Sequence, residues 1–284
     1  MARRVVAFGD SLTQEANCAG GWVQRLAERF TRRADVLNRG FSGYNTRWAL
    51  ELLQNDRLGL AAGPAPDLVT VLIGSNDAAS SKQAVPVEEY ERNLTQIVNY
   101  FQDVLKCKRV VVLAPPPVDE QQYLDLFLKP RAESRGEDVA SIVLDRKVEF
   151  VEKYAAASER VASATGAAFL SLFAIFQRKS EEAGKPVSHF LCDGLHFNTD
   201  GNQVVYEEIC ATIDKAFDGE VTVAPCKFSG KFSNSGSSCP KLPPLGPFWD
   251  QIDPEATPGS YLSAHFDKVA ASDGPAAKKA KIDE

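Results

Sequence analysis

Short, wholly apolar runs alternate along this chain with stretches whose apolar residues recur at helical spacing. Val5–Phe8, Val36–Leu37, Leu68–Ile73, Val110–Ala114 and Ala167–Leu170 lack polar alternation, which fits strands covered on both faces. Between them, Tyr90, Leu94, Ile97, Phe101 and Leu105 lie three or four positions apart, and Leu144, Val148, Val151, Ala155 and Ala162 follow the same rhythm. Val205, Ile209 and Ile213 mark a last helix, with Asp200 as its expected N-cap. Strand and helix in strict alternation predict a parallel sheet with helices on both faces. The five strands fit the flavodoxin-like order 2-1-3-4-5, a three-layer α/β fold.

Three stretches depart from the rhythm. Pro115-Pro116-Pro117 ends the fourth strand and opens a connection to about Asp138, of a length that serves either as a lid or as a solvated insertion. Residues 219–245 are rich in Gly, Ser, Lys and Pro and read as a linker or an ordered loop. Residues 263–284 are polar and of low complexity, so disorder is expected there. The expected organisation is a catalytic domain over 1–218, an extension over 219–262 packing on or linked to it, and a tail over 263–284.

Composition narrows the class. A chain of 284 residues with 44% hydrophobic and 25% charged residues suits one large α/β domain, or one domain plus an appendage. A net charge of −6 argues against a general nucleic-acid binder. No apolar run approaches the roughly 20 residues of a membrane span. The first strand begins at once, with no secretory signal, so the protein is expected to stay inside the cell. Six scattered cysteines form no C-x-x-C pair and no zinc-like cluster, which predicts free thiols, with Cys192 as a small buried filler.

The chemistry gathers at strand ends. Gly9-Asp10-Ser11-Leu12 follows the first run, placing a hydroxyl where a strand gives way to a helix, beside free N–H groups. Asp193-Gly194-Leu195-His196 puts a carboxylate three residues before a histidine, so that one ring nitrogen can meet the carboxylate while the other faces the serine. Asn38-Arg39-Gly40 and Gly74-Ser75-Asn76-Asp77 end two further strands; a glycine N–H and an asparagine amide there are suitable oxyanion donors. Each has a plainer reading: Ser11 and Asp10 as turn residues, Asn76 as a helix cap, Asp77 as structural, His189 as surface structure. Arg47 and Trp48 are placed to touch substrate, but read better as a surface ion pair or helix packing. Dinucleotide and P-loop signatures, the G-x-S-x-G elbow and metal-ligand spacings are absent.

In this order, the blocks around Ser11, Gly40, Asn76 and His196 resemble those of the SGNH (GDSL-type) hydrolases. The long block from Leu37 to Trp48, Ser11-Leu12-Thr13-Gln14 and the Leu245–Trp249 end resemble the isoamyl acetate-hydrolysing esterase branch, over roughly residues 4–253. Ser75 departs from the alanine or glycine found there in many members. The resemblance implies a serine esterase for small acetate-type esters that needs no cofactor or metal. Ser11 would be the nucleophile, His196 and Asp193 its partners, and Ser11, Gly40 and Asn76 the oxyanion donors. Carbohydrate deacetylation, thioester cleavage and ligand binding without chemistry stay open. Lys278, Lys279 and Lys281 lie in a tail segment similar to a nuclear import signal, so an import receptor is a candidate partner beside a small ester substrate, and a nuclear location stands beside a cytoplasmic one.

Overall fold

Residue-by-residue alternation within the strands sets the layering. The computed structural model describes residues 3–217 and Ile252. Its elements run β1 (Arg3–Gly9), α1 (Ser11–Gln14), α2 (Trp22–Arg29), β2 (Ala34–Gly40), α3 (Thr46–Gln54), β3 (Leu68–Leu72), α4 (Val87–Asn99) and β4 (Val110–Ala114). There follow α5 (Glu120–Tyr123), α6 (Lys129–Arg135), α7 (Val148–Thr165), β5 (Ala168–Ser171), α8 (Leu172–Ala183) and α9 (Thr199–Ala216). The sheet is all-parallel in the order β2-β1-β3-β4-β5, as the alternation predicts.

Successive strand side chains point to opposite faces. Val6, Phe8, Val69, Val71, Val110 and Val112 therefore pack with Trp48, Tyr90, Ile97, Phe101 and Val161, from α3, α4, the turn after α4, and α7. Val5, Ala7, Leu68, Leu72, Val111 and Leu113 pack on the other face with Trp22, Leu26, Phe176, Val205 and Ile209, from α2, α8 and α9. Both faces are covered, so the strands read as unbroken apolar runs. Ile252 is buried in the first of these clusters. Among the described residues, no helix is long and apolar enough to cross a membrane.

Several expectations are corrected in detail. β2 runs well past Val36–Leu37, because it pairs with β1 in continuous register from Arg3↔Ala34 to Gly9↔Gly40. As an edge strand it is only half-buried, and its polar Asn38-Arg39 end carries no apolar signal. The cap of α9 is Asn198, whose side chain accepts from Gly201 N, whereas Asp200 lies inside the first turn. Leu144 precedes α7 rather than belonging to it. The connection after the three prolines is neither open loop nor plain insertion. It folds as α5, a π-helical turn over Leu124–Leu128, and α6. The expected extension over 219–262, apart from Ile252, and the tail with Lys278, Lys279 and Lys281 lie outside the described residues.

Candidate active site

In an open parallel sheet, ligands bind at the carboxyl ends of the strands, where the order reverses. Here that place is the end of β1, which lies between β2 and β3. Asp10 bridges β1 to α1: its N–H donates to Leu72 O at 3.2 Å, and its carboxylate caps α1 by accepting from Leu12 N at 3.0 Å. Ser11 is thereby fixed as the first residue of α1, and its backbone N–H has no acceptor among the described residues.

His196 reaches Ser11 from across the chain. Its Nε2 lies 3.0 Å from Ser11 Oγ, and its Nδ1 lies 2.7 Å from Asp193 Oδ2. A carboxylate can only accept, so Nδ1 carries the proton and Nε2 presents its lone pair to the serine. Asp193 is itself held by its own turn: Oδ1 accepts from Leu195 N at 3.0 Å and His196 N at 2.8 Å. Gly194 makes the turn possible. Its φ is +86°, and a Cβ there would come within 2.2 Å of Tyr123 N and 2.6 Å of Asp119 O. Burial opposes the charged form of His196, but the hydrogen bond and charge of Asp193 outweigh it and raise the histidine pKa. Burial likewise works to raise the Asp193 pKa, and His196 with the two backbone N–H groups lowers it instead.

His189 is elsewhere. It lies 3.1 Å from Lys185 Nζ and 3.7 Å from Asp200, with its ring edge-on to Phe190, in keeping with its structural reading. Asp77 is fully buried and accepts from Thr46 N and Oγ1. Arg47 pairs with both oxygens of Glu89, and Trp48 is core.

The expected oxyanion donors separate. Asn76 begins no helix; it is buried, and its Nδ2 donates to Tyr44 O at 2.9 Å, which leaves its second N–H available. Gly40 is not among the residues lining the small cavity beside Ser11. Its N–H is already given to Asn38 Oδ1 at 2.9 Å. It is glycine because α1 crosses there: a Cβ would lie 2.1 Å from Gln14 N. The glycine that reaches the site is Gly43, three residues on. It lines a cavity of about 80 Å³ with Ser11, Asn76, Gln83, Phe127 and His196, and its N–H has no acceptor among the described residues. A larger cavity, about 530 Å³, opens on the other side of Ser11 and His196, against Leu12, Glu15, Ala16, Cys18, Cys192 and Phe197. Cys192 is thus exposed rather than a buried filler; its thiol pKa is pushed up to about 11 by desolvation and the nearby charges of Asp193 and Glu15. Cys18, Cys107 and Cys210 are also free thiols, and Cys226 and Cys239 lie outside the described residues.

Glu15, Phe127, Arg131 and Arg146 also line the cavities, and sequence reading missed them. Glu15 Oε1 lies 3.9 Å from His196 Nε2, and the Phe127 ring is 5.8 Å from the imidazole. The one signal for Glu15 is its place four residues after Ser11 at the start of a helix. The others come from the connection after β4, whose motif-free sequence carries no pointer to the site.

Comparison with known proteins gives the family and the fold. Residues 7–204 match the model of the GDSL-like lipase/acylhydrolase family. The chain is 38% identical to the isoamyl acetate-hydrolyzing esterase 1 homolog of Mus musculus over 75% of its own length and 82% of the relative's. It is 36% identical to the corresponding Bos taurus protein over the same shares. Among solved structures, a lipase/acylhydrolase from Enterococcus faecalis superposes with a TM-score of 0.56 at 20% identity, covering 80% of this chain and all of that one. An acetyl xylan esterase, AlAXEase, does so with a TM-score of 0.56 at 19% identity, covering 74% of this chain and 99% of that one. At such identities the structures speak for the fold alone. With the family model spanning more than half of its length, the chain belongs to the GDSL-like lipase/acylhydrolase family and is a carboxylic ester hydrolase.

Proposed function

We propose that the enzyme hydrolyses small acetate-type esters through a Ser11–His196–Asp193 triad. The observation that carries this reading is the imidazole set between Ser11 Oγ at 3.0 Å and Asp193 Oδ2 at 2.7 Å. Ser11 Oγ attacks the ester carbonyl while His196 Nε2 takes its proton; Asp193 holds the ring and stabilises the imidazolium. Ser11 N–H, Gly43 N–H and the Asn76 amide meet the developing oxyanion. His196 returns the proton to the leaving alcohol. It then takes a proton from the water that releases the acid from the acyl-enzyme.

The two cavities support the choice of substrate. The oxyanion donors line the smaller one, whose 80 Å³ suits a short acyl group, while the 530 Å³ space beside His196 gives room for a bulkier alcohol. The relatives' name, isoamyl acetate-hydrolyzing esterase homolog, describes a small acyl group on a branched alcohol, in keeping with that division.

Two ester series test it, one of nitrophenyl esters from acetate to decanoate and one of acetates of increasingly bulky alcohols. kcat/KM should fall steadily along the first beyond about four acyl carbons, by tenfold or more, and stay within a few-fold along the second. Equal or faster turnover of decanoate would exclude the acetate-type reading, and preferential turnover of acetylated xylan or thioesters would move the activity to those classes.

A further inference from the structure

An oxyanion donor has to be aimed. A carboxamide is nearly symmetric in shape, and Asn76 turned over would offer its oxygen, not its N–H, to a developing negative charge. Side chains remote in sequence decide which way it faces. Arg146, 70 residues away and 4% exposed, donates through Nη2 to Asn76 Oδ1 at 2.8 Å and to Gln83 Oε1 at 3.2 Å. A guanidinium has only donors, so the atom of Asn76 that it meets must be the oxygen. The amide nitrogen is thereby turned to Tyr44 O and to the cavity.

The same logic orients Gln83. Its oxygen faces Arg146, so its Nε2 donates to Gly43 O at 2.7 Å and to Asn76 Oδ1 at 3.1 Å. One cation thus fixes the Asn76 amide directly and ties down the Gly43 turn through one intermediary. The remaining guanidinium donors are also used: Nε on Ser75 O at 3.3 Å, the residue before Asn76, and Nη1 on Tyr123 Oη and on Asp145 at 3.1 Å. A buried cation is expensive to keep, and here its bonds to Ser75 O and Asn76 Oδ1 fall on the segment that carries one donor, while Gln83 links it to the turn that carries another. A charge-assisted bond to Oδ1 also draws electron density from the amide, which makes its N–H a stronger donor.

We infer that Arg146, acting through Asn76 and Gln83, is the positioning residue of the oxyanion hole, a role that rests on the esterase reading above. The test uses nitrophenyl acetate and the full chain, with active sites counted by fluorophosphonate labelling taken to completion. Arg146→Met keeps the stem and removes the donors. It should lower kcat by about 10²-fold and leave KM within about twofold, as for one misdirected oxyanion donor. Gln83→Leu should lower kcat by roughly tenfold, consistent with a helper role in the same network. The double variant Arg146→Met with Asn76→Ala should be slower than Asn76→Ala alone by no more than the roughly tenfold of Gln83→Leu, well short of the product of the single losses, because the larger part of both acts through the same donor. Added guanidinium should restore part of the kcat of Arg146→Ala and a clearly smaller fraction of that of Arg146→Ala with Asn76→Ala.

Multiplicative losses in the double variant, or unchanged kcat in Arg146→Met, would overturn the inference. So would a loss of activity matched by a loss of labelled sites without rescue by guanidinium. If Arg146→Met fails to fold, Gln83→Leu decides by itself: an unchanged kcat there sinks the proposal. A wild-type protein that hydrolyses no ester and is not labelled at Ser11 would instead sink the esterase reading beneath it.

Discussion

Asp193 and His196 show how much one short turn can set. The carboxylate that orients the imidazole is itself oriented by the N–H groups of Leu195 and His196, so four consecutive residues carry the whole device. Asp193→Asn should lower kcat on the order of 10⁴-fold, with folding intact, since an amide favours the wrong tautomer. The pH profile makes a sharper statement. In the proposed mechanism neutral His196 is the active form, and Asp193 raises its pKa above the ordinary value of about 6.5. The rising limb of kcat/KM should therefore lie above pH 6.5 in the wild type. In Asp193→Asn burial is opposed only by the charges of Glu15 and Asp10, which rank below those of Asp193, and the limb should move to lower pH. A limb that stays in place would remove Asp193 from the charge balance of the imidazole. At this scale the grouping of Ser11, Asn76, Asp193 and His196 was legible, because the first two sit in short motifs at strand ends and the last two share one four-residue turn. Gly43 was not distinguished from Gly40: both occur in Asn38-Arg39-Gly40-Phe41-Ser42-Gly43, and which N–H is free depends on Asn38 folding back on the nearer one. Arg146 and Gln83 were invisible, because what they do is visible only once distant segments meet.

The elements follow the same division. Buried strands announce themselves as apolar runs, so β3 and β4 were read to within a residue, and β1 in its apolar centre but not its polar Arg3-Arg4 start. The edge strand β2 and the helical connection from Glu120 to Arg135 are shaped by pairing and by tertiary contact, which leave no periodic trace. That connection meets the catalytic turn directly: Asp119 N donates to Gly194 O at 2.9 Å, and Tyr123 N would collide with any Cβ at Gly194. Gly194→Ala should therefore act twice. It strains a positive φ and pushes α5 away, with a cost of about 1–3 kcal/mol in stability, and it shifts His196 relative to Ser11. Thermal melting should fall, and the fluorophosphonate labelling rate should fall with it. A variant that melts early but labels at the wild-type rate would show that the turn and the helix are mechanically independent.

The molecule as a whole joins a stability optimum and an activity optimum that pull apart. Burial pushes Asp10 and Asp77 up to about 7, against about 3.9 in an unfolded chain. A raised pKa means that the native state holds the proton more tightly, so this contribution is full below about pH 3.9 and is lost as pH climbs through 7. His196, also raised, acts in the same sense, losing its contribution above its folded value. Asp193 is lowered, and its contribution disappears only as pH falls below the ordinary carboxylate range. The protein should thus melt at a higher temperature at pH 5 than at pH 8, while turnover rises over the same interval. Asp77→Asn should flatten the melting profile; a profile that rises from pH 5 to pH 8 would contradict the burial of these carboxyls. Beneath all of this lies the claim that Ser11 is the nucleophile, and one measurement reaches it directly. Intact-protein and peptide mass spectrometry after fluorophosphonate treatment should show a single adduct on Ser11, abolished together with ester hydrolysis in Ser11→Ala, whose melting temperature stays near that of the wild type. An adduct on another residue, or a Ser11→Ala protein that still turns over esters, would contradict the account.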